Sequence, residues 1–294
     1  MQGDAVIVEV GLNEAVSPAS HPHVPQTPQE CGADALRCSG AGASVVHWHA
    51  VDASGAQRLG DASIYGEALD AMAGAVLAYP SYPTDVPDEV DARLGHCFDL
   101  RRDHGLEIAP IDVATVNLVL PDGGPREPMD GFEVIRNSMP FVHAALARYQ
   151  EIGLVPTLAA FDVGCTRAIG TLATSEAIPQ PVLLKIFLWG SPIIGPEPSV
   201  EALDLHLRQL PEGVDVEWVV VPYGIADPDL VEEIARAALE RGGGVRLGIG
   251  DAPHAFPRHT NPHLVELAAT WAAEAGRPLA SADDLRTRLG TTHP

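Results

Sequence analysis

Runs of apolar residues recur along the chain, and polar segments rich in glycine or proline separate them. Short runs enriched in β-branched residues predict strands, whereas longer segments with apolar residues at helical spacing predict helices. A helical pattern follows each predicted strand, so the order indicates eight βα units. The predicted strands are residues 6–10, 44–52, 76–79, 111–118, 155–161, 182–189, 216–221 and 242–251.

Eight consecutive βα units with right-handed crossovers predict an α/β fold in which parallel strands close into a (β/α)8 TIM barrel. An open, doubly wound sheet is the alternative. The length of 294 residues suits a single barrel domain over residues 1–294, with a short helical extension over about 276–294. Residues 121–130 are rich in glycine and proline and predict a loop or lid-like excursion.

The strand predicted at residues 44–52 carries two histidines, His47 and His49. Because side chains alternate between the two faces of a strand, both imidazoles point to the same side. Neutral imidazole is a common ligand of zinc and related ions, so the pair is a candidate metal site. A packed, hydrogen-bonded histidine pair is the alternative.

Other polar side chains are expected near this pair, because functional residues of a TIM barrel gather at the carboxyl ends of its strands. Arg246 suits an anionic substrate group, since guanidinium binds carboxylate or phosphate in bidentate geometry. A structural ion pair with Asp251 is its alternative role, and Asp251 suits either a general base or a cap. The candidates at strand ends are Glu14, His47, His49, Ser81, Thr115, Asn117, Thr157, Arg246 and Asp251.

The net charge of -22, from 18 Lys+Arg and 40 Asp+Glu, argues against nucleic acid or an anionic membrane as a partner. The start lacks the basic segment of a signal peptide, and no apolar run reaches the ~20 residues of a membrane helix. Four cysteines form no CxxC pair. Reduced thiols and a cytoplasmic location are therefore expected.

Several short motifs follow one another along the chain: GLNE at residues 11–14, TPQE at 27–30, HWH at 47–49, FLWG at 187–190 and GGVRLG at 243–248. With these motifs, the chain resembles the β-keto acid cleavage enzymes, whose named member is the 3-keto-5-aminohexanoate cleavage enzyme of lysine fermentation. The resemblance extends over essentially the whole chain. The TPQE helix start, the two histidines and the GGVRLG segment together make it specific.

This resemblance implies a TIM barrel that depends on zinc or another divalent ion and exchanges acyl groups. A β-keto acid and acetyl-CoA, both small-molecule partners, become a new CoA thioester and acetoacetate. Breaking the carbon–carbon bond leaves an enolate, whose charge a Lewis acid and a cation stabilise. The resemblance also favours a homo-oligomer.

The same resemblance assigns roles to the metal-binding and catalytic candidates. His47 and His49 match two metal-ligating histidines. Arg246 matches an arginine that orients the substrate and supports catalysis, and Asp251 matches an active-site acid or base.

Substrate-binding roles fall to four further residues. Glu14 matches a substrate-contacting carboxylate, and Ser81 and Thr115 fall near hydroxyls that bind substrate. Asn117 shares the predicted strand of Thr115 and is expected to contact the substrate as well.

Three positions depart from the pattern of the resembled family. Gly250 stands where a glutamate completes the metal site, Val51 replaces the arginine of an HxHxRD motif, and Thr157 replaces a glutamate. A catalytically altered or inactive barrel that keeps its ligand-binding pocket is therefore an alternative. Candidates for a replacement third ligand are Glu9, Glu14, Asp251 and His254.

A metal hydrolase of the amidohydrolase type is a weaker alternative. That type carries its HxH motif on the first strand and needs histidines after the fifth and sixth. Here the motif lies on the second predicted strand, and no histidine occurs between His143 and His206.

Overall fold

The computed structural model describes residues 5–119, 134–175 and 177–291. Short strands and longer helices alternate in these ranges. The strands are β1 (Val8–Gly11), β2 (Val45–Trp48), β3 (Leu77–Pro80), β4 (Ile108–Asp112), β5 (Thr115–Asn117), β6 (Val134–Arg136), β7 (Val155–Ala160), β8 (Val182–Trp189), β9 (Val216–Tyr223) and β10 (Gly244–Arg246).

The helices lie between the strands and cover the outside of the sheet. Each of the first eight helices follows a strand in the chain, and the ninth follows the eighth. They are α1 (Pro28–Ala41), α2 (Ala62–Met72), α3 (Val90–His104), α4 (Met139–Ile152), α5 (Val163–Thr174), α6 (Val200–Leu207), α7 (Pro228–Glu240), α8 (Asn261–Glu274) and α9 (Ala282–Leu289).

Eight of the described strands pair in parallel, in the order β3-β2-β1-β10-β9-β8-β7-β4. The two ends of this order, β3 and β4, also contact each other, so the sheet nearly closes into a barrel. Helices cover its outer face, and β8 is accordingly buried along its whole length. The prediction of a TIM barrel is confirmed.

The helix predicted from TPQE begins as expected. Thr27 caps α1 by accepting from the backbone N–H of Glu30, and the Glu30 carboxylate accepts from the backbone N–H of Thr27. This capping box satisfies donors that the first helical turn leaves unpaired. It fixes the point at which the chain leaves the barrel mouth after β1.

The single strand predicted over residues 111–118 was wrong. The barrel strand β4 comprises Ile108–Asp112, and Thr115–Asn117 forms a separate strand that pairs antiparallel with Val134–Arg136. Pro110 lies inside β4, and because proline rarely occupies a strand interior, the sequence pattern placed the start of the strand too late. The loop predicted at residues 121–130 lies outside the described residues.

The C-terminal segment covers the amino-terminal end of the barrel. Ala280 N–H donates to the carbonyl of Val6, and Arg286 on α9 binds the Glu107 carboxylate at 3.0 Å just before β4. This cover leaves the opposite end, where the strands terminate, as the barrel mouth. No helix in the ranges that the structure describes is long and apolar enough to cross a membrane.

Candidate active site

His47 and His49 converge on the carboxylate of Glu14 at the mouth of the barrel. His47 Nε2 lies 3.1 Å from Glu14 Oε1, and His49 Nε2 lies 2.7 Å from Glu14 Oε2. One donor atom from each residue lies within 4.8 Å of the other two. Two imidazoles and one carboxylate are a ligand set found in catalytic zinc sites.

Each imidazole is oriented by an acceptor on its other ring nitrogen. His47 Nδ1 lies 3.1 Å from the carbonyl oxygen of Tyr79, and His49 Nδ1 lies 3.1 Å from Gln57 Oε1. Because these oxygens can only accept, Nδ1 carries the hydrogen in both rings. Both Nε2 atoms therefore face Glu14, the orientation of histidines that bind a metal through Nε2.

The charge states of the cluster also suit a shared cation. Burial lowers the pKa of His47 to about 4, although Glu14 opposes the shift. Burial would raise the pKa of Glu14, but His49, His47 and Arg246 outweigh it and hold that pKa well below its ordinary value. A neutral imidazole lone pair and an ionised carboxylate repel each other unless a cation lies between them, so the residues fit a divalent ion.

Glu14 reaches the histidines through an unusual backbone conformation. Its φ is 43°, in the left-handed region that residues other than glycine rarely adopt. A Cβ added to Gly250 would lie 2.6 Å from Glu14 Cγ and 3.0 Å from Glu14 N. Because Gly250 has no side chain, Glu14 can occupy the space where the expected glutamate would lie.

Two amide side chains, which the sequence patterns did not single out, hold His49 in place. Asn13 accepts from the His49 backbone N–H at 2.8 Å and donates to the His49 carbonyl at 3.0 Å. Gln57 donates to the backbone carbonyl of Glu14 at 3.2 Å while it accepts from the His49 ring. The ligand geometry thus depends on a second layer of contacts.

Arg246 lies at the centre of a buried ionic network. Its Nε donates to Asp251 Oδ1 at 2.9 Å, and one terminal nitrogen donates to the Tyr79 hydroxyl at 2.9 Å and to Glu9 at 3.3 Å. The other terminal nitrogen contacts Glu14 and Asp251. The structural pair with Asp251 that the sequence left as an alternative is therefore present, and each guanidinium nitrogen has a carboxylate partner.

Asp251 has one free oxygen beside this network. Its Oδ1 accepts from Arg246, whereas its buried Oδ2 has no partner among the described residues. Burial raises the pKa of Asp251 to about 6, against the lowering effect of Arg246. A carboxylate with an unpaired oxygen and a pKa near neutrality is suited to accept a proton.

Gly11 makes room for the pair of Arg246 and Asp251. A Cβ on Gly11 would lie 2.6 Å from Asp251 Oδ2 and 2.7 Å from an Arg246 terminal nitrogen. The glycine of the GLNE motif therefore has a steric role.

Lys185 is a buried residue that the sequence patterns did not single out. It lies in the middle of β8, with Nζ 2.8 Å from Thr157 Oγ1 and 4.4 Å from the centroid of the Tyr79 ring. Burial lowers the pKa of Lys185 to about 8, although Glu9 and Asp112 oppose the shift. Two signals could have identified it: it interrupts an otherwise apolar run, and it is the single lysine of the sequence.

The substrate-binding candidates are placed differently from one another. Ser81 follows β3 at the mouth, and its backbone carbonyl accepts from His96. Thr115 and Asn117 lie on the exposed side of the β5 strand, and Thr115 Oγ1 donates to the backbone of Asn137 at 3.1 Å. His254, a candidate third ligand, is exposed. The structure therefore brings Glu14, rather than His254, to the two histidines.

Comparisons with known proteins relate the chain to β-keto acid cleavage enzymes. The sequence model of the beta-keto acid cleavage enzyme family matches residues 5–291. The chain is also similar to the 3-dehydrocarnitine:acetyl-CoA trimethylamine transferase of Rhizobium meliloti (strain 1021). The two are 24% identical over 306 residues, which cover 96% of this chain and 94% of that protein.

Solved structures share the barrel fold. The ternary complex of ObcA with C4-CoA adduct and oxalate superposes with a TM-score of 0.65 and 17% identity, over 92% of this chain and 68% of that one. A truncated 3-deoxy-D-arabino-heptulosonate 7-phosphate synthase from Thermotoga maritima gives a TM-score of 0.52 and 11% identity, over 95% and 90% of the chains. At these identities the likeness concerns the fold alone.

Proposed function

Because the chain belongs to the beta-keto acid cleavage enzyme family, we propose that it exchanges acyl groups between a β-keto acid and acetyl-CoA. Family membership and the acetyl-CoA-dependent relative indicate β-keto acid cleavage with transfer to CoA in general. The specific proposal is a metal-dependent exchange that yields a new CoA thioester and acetoacetate. The observation that carries it is the convergence of His47, His49 and Glu14 at the barrel mouth.

His47, His49 and Glu14 would hold the divalent ion, for which this nitrogen and oxygen donor set favours zinc. When bound, the ion polarises the ketone and carboxylate oxygens of the substrate and stabilises the negative charge of the enolate. Gln57 and the carbonyl of Tyr79 keep each Nε2 directed at this position.

Asp251 is the proposed base. Its unpaired Oδ2 takes a proton from C2 of the β-keto acid, and the resulting carbanion attacks the thioester carbonyl of acetyl-CoA, which releases the CoA thiolate. The thiolate then attacks the original ketone, and the bond from C2 to that carbon breaks. The acetoacetate enolate recovers the proton from Asp251, so the acid residue ends as it began.

Arg246 acts through its contacts with other residues. Since it donates twice to Asp251 Oδ1, it keeps that carboxylate in place and leaves Oδ2 available for the proton. Its contacts with Tyr79 and Glu9 keep the guanidinium fixed under the mouth. We also propose that Ser81, Thr115 and Asn117 contact the substrate.

The test incubates zinc-loaded protein with acetyl-CoA and a panel of β-keto acids that includes 3-dehydrocarnitine, and measures acetoacetate. His49→Gln should lose bound metal and activity together. His263→Gln, which changes an exposed histidine on α8, should keep both. If no β-keto acid of the panel yields acetoacetate although metal is bound at His47 and His49, the result favours the alternative of an inactive barrel that retains a binding pocket.

Equal metal content in wild type and His49→Gln would contradict the metal site itself. The proposal of a homo-oligomer is checked separately, by light scattering of the purified protein.

A further inference from the structure

Four aromatic side chains form a continuous surface at the carboxyl ends of β7, β8 and β9. This aromatic wall consists of Phe161, Phe187, Trp189 and Tyr223. Phe161 meets Phe187 and Trp189 edge-on, with centroids 5.0 and 5.1 Å apart. Phe187 and Trp189 stack at 5.3 Å, and Trp189 lies 4.5 Å from Tyr223. Each ring therefore lies against at least two others.

The aromatic wall faces the interior of the barrel. Lys185, Phe187 and Trp189 alternate along β8, so they share one face of the strand. On that face, Lys185 Nζ lies 4.4 Å from the centroid of the Tyr79 ring on β3, a strand that is not a neighbour of β8 in the sheet. The guanidinium carbon of Arg246 lies 5.7 Å from the centroid of Phe187. The wall therefore borders the ionic network of Arg246.

A backbone contact joins the wall to the proposed base. The N–H of Gly224, which follows Tyr223, donates to the Asp251 carbonyl at 2.7 Å. A β-keto acid with C2 at Asp251 carries its acyl side chain only a few bonds away, on the ketone carbon. The wall therefore lies within reach of that side chain when the carboxylate and ketone are beside His47 and His49.

Trp189 carries a buried hydrogen-bond donor that core packing does not explain. The residue is 7% exposed, and its indole N–H has no acceptor in the part of the chain that the structure describes. Its ring neighbours Phe161 and Phe187 have no side-chain acceptor to offer. Buried tryptophan N–H groups usually find a partner. Because Trp189 ends β8 on the barrel-facing side, a bound substrate is placed to supply the acceptor.

The groups around the wall carry charges of both signs. Arg246 is cationic, and burial lowers the pKa of Lys185 only to about 8, so its amine is protonated at neutral pH. The divalent ion of the proposed function adds further positive charge. The carboxylates of Glu9, Glu14 and Asp251 contact Arg246 and oppose these cations. Neither a cationic nor an anionic side chain is therefore favoured, and burying either against the rings would cost free energy.

Apolar ring faces and one unpaired donor suit an uncharged group that accepts a hydrogen bond. The rings cover the carbon atoms of such a group, and the indole N–H binds its oxygen. A hydrocarbon side chain would instead leave the covered N–H without a partner. We infer that the aromatic wall binds an uncharged acyl side chain whose ether or carbonyl oxygen accepts the Trp189 indole N–H, an inference that rests on the proposed acyl exchange.

Two matched pairs of β-keto acids test this inference. In 4-methoxy-3-oxobutanoate, an oxygen replaces one methylene of 3-oxohexanoate, and 5-methoxy-3-oxopentanoate is related in the same way to 3-oxoheptanoate. The pairs place the ether oxygen at two distances from the ketone. For each pair, the ratio of kcat/KM for the ether acid to that for the alkyl acid is measured with zinc-loaded protein. The ratio does not depend on the fraction of folded protein.

Trp189→Phe keeps an aromatic ring and removes the N–H. In at least one pair, this variant should lower the ratio about five- to tenfold, the effect of one hydrogen bond from a buried donor. Differences in intrinsic reactivity between the acids are the same in both proteins, so they cancel. Trp271→Phe, which removes an indole N–H under Arg236 on the outer helix α8, should leave the ratio as in wild type. Ratios that Trp189→Phe leaves unchanged in both pairs overturn the inference.

Two further comparisons test the rings and the absence of charge. Phe161→Ala should lower kcat/KM for the ether acids about fivefold relative to acetoacetate, whose side chain is only a methyl group. Equal relative values in wild type and Phe161→Ala would mean that the side chain lies away from the wall. The dianionic 3-oxohexanedioate and the cationic 3-dehydrocarnitine should both react less efficiently than the better ether acid. A higher kcat/KM for either charged acid contradicts an uncharged subsite.

Binding measurements separate this inference from the proposed function. Acetoacetate and ¹³C-acetyl-CoA should exchange label if the acyl exchange occurs. If no substrate reacts, the proposed function fails, and calorimetric titration of the matched acids without acetyl-CoA still decides the inference. Tighter binding of an ether acid than of its alkyl partner, lost in Trp189→Phe, supports the contact. Dissociation constants that respond equally to Trp189→Phe exclude it.

Discussion

Glu14 occupies the space that any side chain at position 250 would need, since a Cβ on Gly250 would lie 2.6 Å from Glu14 Cγ. In its observed conformation, Glu14 therefore competes with a side chain at position 250 for the place beside His47 and His49. This relationship reverses the simple expectation that glutamate at 250 adds a ligand. In the protein as it stands, such a glutamate has to displace Glu14.

Exchange of the two positions tests this relationship. Gly250→Glu alone should not raise zinc content, because it collides with Glu14, and Glu14→Gly alone should weaken zinc binding by more than about tenfold. The double variant Glu14→Gly/Gly250→Glu should bind zinc better than Glu14→Gly, which gives a large coupling energy. Zinc content by mass spectrometry measures all three, and additive effects would show that the positions act independently.

Gln57 should tune the metal site without touching the ion. Gln57→Leu removes the acceptor for His49 Nδ1, so we expect about 10–100-fold weaker zinc binding. Gln29→Leu is the matched control, because among the described residues the Gln29 side chain bonds an exposed glutamate on α2. A zinc affinity that Gln57→Leu leaves at the wild-type value would mean that the His49 ring is oriented by other contacts.

Activity should depend on the ionised form of Asp251. Since burial raises the pKa of Asp251 to about 6, kcat/KM should fall as the pH drops through 6 and level off above it. Asp251→Asn should lower kcat by about 10²–10⁴ and remove this limb of the profile. Asp229→Asn, at the exposed start of α7, should reproduce the wild-type profile. An unchanged acid limb in Asp251→Asn would assign the proton to another group.

Gly11→Ala should disturb the ionic network. The added Cβ collides with buried atoms of Asp251 and Arg246, so we expect a loss of about 1–3 kcal/mol in the free energy of unfolding and a drop in activity. Gly95→Ala on helix α3 is the control, because a Cβ at Gly95 would meet no neighbouring atom within 4 Å. Urea denaturation compares the variants, and equal effects at both positions would remove the steric role of Gly11.

Lys185→Met should stabilise the protein at neutral pH. The pKa of Lys185 falls from an ordinary 10.5 to about 8, so the charged amine costs the fold roughly 3 kcal/mol at neutral pH. This cost is fully present below pH 8 and disappears as the pH rises toward 10.5, where the unfolded chain also loses the proton. The advantage of Lys185→Met in urea should accordingly shrink across that range. A variant less stable than wild type at pH 7 would show that contacts with Thr157 and Tyr79 outweigh the buried charge.

Much of the fold could be predicted from sequence, because βα alternation and caps such as that of Thr27 are local signals. The boundary of β4 could not, since Pro110 interrupts the pattern although the strand continues through it. The two histidines were identified because both lie on one face of one strand.

The contact of Glu14 with both histidines was harder to predict from the sequence. It depends on a left-handed φ and on a vacant Cβ at position 250, distant in sequence, and neither is encoded by spacing. Lys185 lies in a run that otherwise has the pattern of an ordinary buried strand, so its charge within that run and its being the sole lysine are the two signals that distinguish it.

That sole lysine has a practical consequence. With Lys185 enclosed in the barrel, the described surface carries its positive side-chain charge on arginines and histidines alone. Amine-directed reagents should therefore label the folded protein only at its α-amino group, and Lys185 should become reactive when β8 separates from its neighbours. A single acylation event, read by mass, would then report the opening rate of the barrel itself in a native chain without any introduced probe.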